Sequence, residues 1–140
     1  MLGQLIYPKY IDPGSPVVDV HINGNMIPHT LIDLGAAINV MTKDTMLKLN
    51  LQGSLRKTMT VLQLADRSTT TPEGIMEDVM VSIDSWEYPI DFLVLQLKAK
   101  LIGHPLIPGR PWLASVDAYI SCRAGNMTIK NGHMSKQLIL

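Results

Sequence analysis

Along the chain, apolar and polar positions alternate in short runs broken by turn-forming residues, the period-two signature of strands with one buried face. Residues 17–22 (Val-Val-Asp-Val-His-Ile) form such a run, and Asn23-Gly24 after it is a strong hairpin signal. Residues 26–31 supply the return strand, leading into Ile32, Asp33, Leu34 and Gly35. Residues 42–49 predict the single short helix, with Thr42 as its cap and Met46, Leu47 and Leu49 as apolar positions. Strands are predicted over 59–64 and 75–83, the second packing through Met76, Val79, Val81 and Ile83. The polar, turn-rich stretch 65–74 between them reads as the tip of a long hairpin. A strand over 88–97, a short apolar run over 106–109 and a last hairpin turning at 123–126 complete the pattern. Many short strands at turn-marked spacing predict an all-β domain with a closed, barrel-like sheet and one short helix. Residues 1–16, with three prolines and no periodicity, read as a lead-in arm, 17–130 as the domain and 131–140 as a tail.

Composition narrows the classes of function. Hydrophobic residues make up 46% and charged residues 17%, too apolar for a disordered chain. No apolar run approaches the ~20 residues of a membrane span, so no membrane partner is expected. The first six residues have no basic region and no long apolar stretch, so no signal peptide is expected. Lys plus Arg equals Asp plus Glu, 12 against 12, and no basic run is present to grip a phosphate backbone, so no nucleic-acid partner is expected. The single Cys122 excludes an internal disulfide, fits a reducing compartment and is expected as a small core residue.

The most informative acid is Asp33, a lone carboxylate inside the apolar stretch 31–40. Burying it costs several kcal/mol unless it is paired, hydrogen-bonded or neutralised. Gly35, two residues on, permits a tight turn, so the chain can present Asp33 on a sharp loop braced by apolar neighbours. On this stretch alone, a turn-capping Asp fits equally well. Other chemistry is poorly served. His21, His29, His104 and His133 are scattered without metal-ligand spacing, so no metal or other cofactor is expected. No Gly-x-Ser-x-Gly elbow is present, and Cys122 has no base nearby in sequence. Trp86, Trp112 and the nine methionines read as packing residues.

Residues 31–37 resemble the hydrophobic-hydrophobic-Asp-Thr/Ser-Gly-Ala loop of retropepsin-like aspartic proteases, with Asp33, Leu34, Gly35 and Ala36 in register. The resemblance is nearest to the protease region of plant gypsy-type retrotransposon polyproteins. It continues in order through about residue 129. Residues 61–68, including Leu64, Ala65, Asp66, Arg67 and Ser68, resemble the flap hairpin, and 74–79 its returning strand. Residues 88–95 resemble the strand that follows. The Gly109-Arg110-Pro111-Trp112-Leu113-Ala114 segment resembles the Gly-Arg stretch that braces the catalytic loop. Each motif alone is weak, whereas the ordered set is specific.

The resemblance implies a retropepsin-like barrel whose working unit is a two-fold homodimer, with Asp33 as the catalytic residue contributed by each subunit. Asp12-Pro13-Gly14 has no apolar lead-in, and Trp86 replaces the glycine after Ile83-Asp84-Ser85, so neither supplies a second loop. Two such aspartates ~3 Å apart share one proton; one serves as general base on water and the other polarises the scissile carbonyl. Leu34 stands where the family most often has a Thr or Ser whose hydroxyl bonds across the dimer axis, a variant that resembles plant retroelement copies. Pro108 stands where Leu is usual, and Ala37 where many viral relatives carry an acidic partner for Arg110. Two readings follow: an endopeptidase cleaving a retroelement polyprotein, in the cytoplasm or within retroelement particles, or a dimerisation and peptide-binding module that has kept the fold without turnover. A cellular retropepsin-like domain of a shuttling or ubiquitin-linked protein is a more remote third.

Overall fold

The computed structural model describes residues 17–32, 37–59, 62–63, 69–84, 86–96 and 105–140. The lead-in arm, the Asp33–Ala36 loop and the Leu64–Ser68 tip lie outside these residues.

β1 (Val17–Ile22) and β2 (Asn25–Leu31) form the predicted hairpin, and Asn23 and Gly24 both take positive φ (51° and 77°), which is why this dipeptide suits the turn. β1 buries Val18, Val20 and Ile22 and exposes Asp19 and His21, as its alternation requires. The pairing slips by one residue opposite Val18 and Val20, where β2 carries Pro28, a residue without an N–H to give to a ladder. β3 (Val40–Thr42) leads directly into α1 (Lys43–Lys48), whose Thr42 Oγ1 accepts from the Thr45 N–H at 3.2 Å, the predicted cap. A single 3-10 turn follows at Gln52–Ser54. β4 (Leu62–Gln63) and β5 (Thr69–Thr70) pair antiparallel, with β5 inside the polar stretch 65–74.

β6 (Gly74–Ile83) and β7 (Trp86–Leu95) are the long central hairpin, and β8 (Leu106–Ile107) is a short strand against β3. A six-stranded sheet runs in the order β2-β1-β6-β7-β3-β8, and it curls until β2 at one end approaches β8 at the other. That is the barrel-like closure expected from the strand pattern. β3 lies parallel to β7, a long-range pairing no local pattern can specify.

The structure differs from the sequence reading in three places. Arg110–Ser115 is a second short helix, α2, in a segment too short to show helical periodicity. Residues 131–140 carry β11 (Met134–Ile139), paired along β10 (Asn126–Asn131), which also pairs β9 (Tyr119–Ser121). β11 half-buries Lys136 and Leu138 and exposes Ile139, so its inward and outward positions do not separate into apolar and polar residues along the sequence. Cys122 is exposed at the tip of the β9–β10 turn rather than in the core.

One main core gathers Val20, Ile22, Met41, Met46, Met76, Ile83, Ile90, Phe92, Trp112, Met127 and Ile129, uniting the curled sheet, both helices and the three-stranded sheet. Each such side chain contributes about 1.5–3 kcal/mol by leaving water. The methionines divide: Met41, Met46, Met76 and Met127 are core, whereas Met26, Met59, Met80 and Met134 are exposed. Among the described residues no helix is long and apolar enough to cross a membrane.

Candidate active site

β2 ends at Leu31, buried Ile32 follows, and the chain re-enters the described structure at Ala37, immediately before Ile38 and Asn39. The Asp33–Ala36 segment is thus bounded by the ends of β2 and β3. What holds its downstream side is Asn39, a polar residue only 4% exposed. An unpaired amide there would cost several kcal/mol. Asn39 is instead paired on both faces of its side chain. Oδ1 accepts from the Gly109 N–H at 2.8 Å and the Trp112 N–H at 3.2 Å, while Nδ2 donates to the Asp91 carbonyl at 3.0 Å. Its own backbone carbonyl accepts from the Leu93 N–H at 2.9 Å.

The helix start explains the acceptor. Gly109 is the N-cap of α2 and has no side-chain oxygen to satisfy the first-turn N–H groups, while Pro111 has no N–H at all. Asn39 supplies the missing capping oxygen from across the fold. The bracing segment foreseen at Gly109 and Arg110 is therefore joined to the chain that leaves the Asp33 loop, and the joint is a side chain the sequence reading passed over. A signal was present: Asn39 is an amide set between Ile38 and Val40 in an otherwise apolar run.

Gly109 is buried and Arg110 exposed, and among the described residues no carboxylate pairs with Arg110. Trp112 is fully buried, its indole Nε1 without a hydrogen-bond partner among the described residues. Gly74, where the chain returns from the β4–β5 hairpin, is pressed against Arg56: a Cβ here would stand 2.3 Å from the Arg56 carbonyl oxygen. Arg56 and Ile75 exchange both backbone hydrogen bonds, at 2.8 and 3.0 Å, which anchors the hairpin base.

Between this hairpin base and the Asn39 joint lies a groove of about 410 Å³. Its lining includes Ile38, Asn39, Ile75, Asp78, Asp91 and Pro111. Ile38 and Asn39, among its lining residues, follow the Asp33–Ala36 segment in the chain. Asp78 and Asp91 are the groove's carboxylates and neither was singled out from the sequence. His21 and His133 are exposed and far apart in the chain, and among the described residues no group of His, Cys, Asp and Glu is arranged to hold a metal. Asp84, weighed and set aside as a second loop, lies in the β6–β7 turn with φ of 52° and pairs with Lys136 at 3.5 Å.

No protein-family model matches the sequence, and no curated protein matches it. Solved structures do match. The retroviral protease-like domain of Ddi1 from Leishmania major is 21% identical, with a TM-score of 0.67 over 84% of this chain and 91% of that chain. The EIAV protease complexed with the inhibitor HBY-793 is 19% identical, with a TM-score of 0.62 over 81% of this chain and 99% of that one. The chain therefore has the retropepsin-like fold, mostly β with a curled sheet and few helices.

Proposed function

We propose that this chain is an aspartic endopeptidase that acts as a two-fold homodimer, each subunit contributing Asp33 to a shared dyad. The observation that carries the reading is positional. In a retropepsin-like fold, an Asp-x-Gly-Ala sequence falls between β2 and β3, just upstream of the Asn39 joint to the Gly109-Arg110 segment. A polypeptide substrate lies extended in the groove, hydrogen-bonded like an added strand. One carboxylate of the dyad activates water and its protonated partner polarises the scissile carbonyl. The ordered motifs favour a retroelement polyprotein of the plant gypsy type as substrate, in the cytoplasm or within retroelement particles. The similarity to both a viral protease and a Ddi1 domain supports the fold common to these readings.

Cleavage of fluorescein-labelled casein at mildly acidic pH tests the proposal. Asp33→Asn removes the charged form of the dyad and is expected to abolish a wild-type rate. Equal rates in the two proteins rule the dyad out. Leu34 favours one alternative, a dimerising peptide-binding module without turnover, because leucine cannot make the hydroxyl contacts usual at this position. For that reading, neither wild type nor Leu34→Thr cleaves while a dimer persists in sedimentation; cleavage gained by Leu34→Thr identifies an impaired enzyme instead.

A further inference from the structure

The pairing of β6 with β7 jumps from Met76↔Phe92 to Val79↔Ile90, so Glu77 and Asp78 together oppose the single residue Asp91. This is a β-bulge, and it resets the alternation: Gly74 and Met76 are buried before it, Val79, Val81 and Ile83 after it. Asp78 takes the left-handed conformation, φ 54°, which a non-glycine residue holds only when its surroundings enforce it. A bulge leaves one N–H without a ladder acceptor. Here the Asp78 N–H is taken by Asp91 Oδ1 at 2.9 Å, from the very residue the bulge faces. The Asp91 carbonyl is in turn held by Asn39 Nδ2 at 3.0 Å. A continuous path thus runs from α2 through Asn39 and Asp91 to Asp78 along the lining of the groove. The other bulge residue, Glu77, pairs with Arg56 at 2.8 Å, and Ile75 before it is bonded to the Arg56 backbone.

We propose that Asp91 is a positioning residue for substrate: by closing the bulge it fixes Asp78 relative to Asn39, both of which line the groove. The inference rests on reading the groove as the peptide site. It differs from a charge role, in which the carboxylates of Asp91 and Asp78 would draw a cationic side chain. Asn in place of Asp separates the two, because the amide oxygen accepts the same N–H without the charge.

The test uses amide hydrogen exchange at Asp78 and binding of fluorescein-labelled casein by polarisation, the latter on an Asp33→Asn background so that turnover plays no part. Asp91→Ala is expected to speed exchange at Asp78 by roughly tenfold and to weaken casein binding several-fold, whereas Asp91→Asn stays within about twofold of the parent in both. Unchanged exchange in Asp91→Ala overturns the positioning role, as does Asp91→Asn binding casein as poorly as Asp91→Ala. If the wild type cleaves nothing, the endopeptidase reading fails while these two measurements still decide the role of Asp91.

Discussion

Asn39 and Lys136 each join two parts of the fold, and they do so by opposite chemistry. Asn39 is buried, uncharged and bonded to backbone groups of α2 and β7 through both ends of its amide. Lys136, on β11, reaches the β6–β7 turn: its Nζ donates to the Asp84 carbonyl, pairs with Asp84 Oδ2 at 3.5 Å and sits 4.5 Å from the Trp86 ring centroid. The first joint serves the candidate site; the second fastens the three-stranded C-terminal sheet. Buried neutral contacts are costly to break because the orphaned groups have no water to turn to, while solvent can replace most of an exposed ion pair. Equal numbers of contacts therefore carry unequal weight, and the site is fastened by the stronger kind.

The comparison breaks most visibly at Asn39. Asn39→Leu keeps the volume but strands the Gly109 and Trp112 N–H groups and the Asp91 carbonyl, and an unsatisfied buried group costs ~1–3 kcal/mol each. A loss of about 3 kcal/mol or more in urea denaturation is expected, unaffected by salt. A change below about 1 kcal/mol means the joint is redundant.

Between the extremes stands Tyr88, a second tie to the C-terminal sheet. Its hydroxyl donates to the Lys130 carbonyl at 3.1 Å, and burial raises its pKa above the ordinary tyrosine value. The folded phenol thus holds its proton to higher pH than the unfolded one. Its contribution is complete below the ordinary tyrosine pKa and declines as pH rises through the raised value. Tyr88→Phe should cost about 1 kcal/mol at neutral pH and flatten the alkaline loss of stability. An alkaline limb identical in slope to wild type would show that Tyr88 does not contribute to it.

What the sequence disclosed follows from where the forces are local. The β1–β2 turn was legible because Asn23-Gly24 suits positive φ, and α1 because Thr42 caps it. The β6 bulge was written in the spacing Met76, Val79, Val81, Ile83, whose one three-residue step breaks the period of two, although the spacing alone does not name Asp91 as the closing group. The Asn39 joint links residues 70 and 73 positions apart, so no window along the chain contains it. β11 escaped because its half-buried face carries Lys136 beside Leu138 while its exposed face carries Ile139, so polarity does not follow burial. For the site itself, Gly109 bonds Asn39 at the joint while Arg110 beside it is exposed, and Asp33 to Ala36 and Leu64 to Ser68 rest on sequence motif and lie outside the described residues.

The smallest effect is expected at Lys136. Its partner Asp84 has a side chain 69% exposed, so solvent screens most of the ion pair, and the ring contact with half-buried Trp86 supplies the rest. Lys136→Met keeps the aliphatic stem over the indole and removes the charge, for an expected loss of roughly 0.5–1 kcal/mol at low ionic strength. In 0.5 M salt the Debye length falls to about 4 Å and the wild-type advantage should shrink toward the ring contact alone. Lys136→Arg tests the same balance from the other side. The guanidinium keeps the charge and stacks on Trp86, so it should match lysine at low salt and exceed it at high salt. A salt-independent loss in Lys136→Met would place this joint in the same class as Asn39, and the contrast between a wet fastening and a dry one would fail.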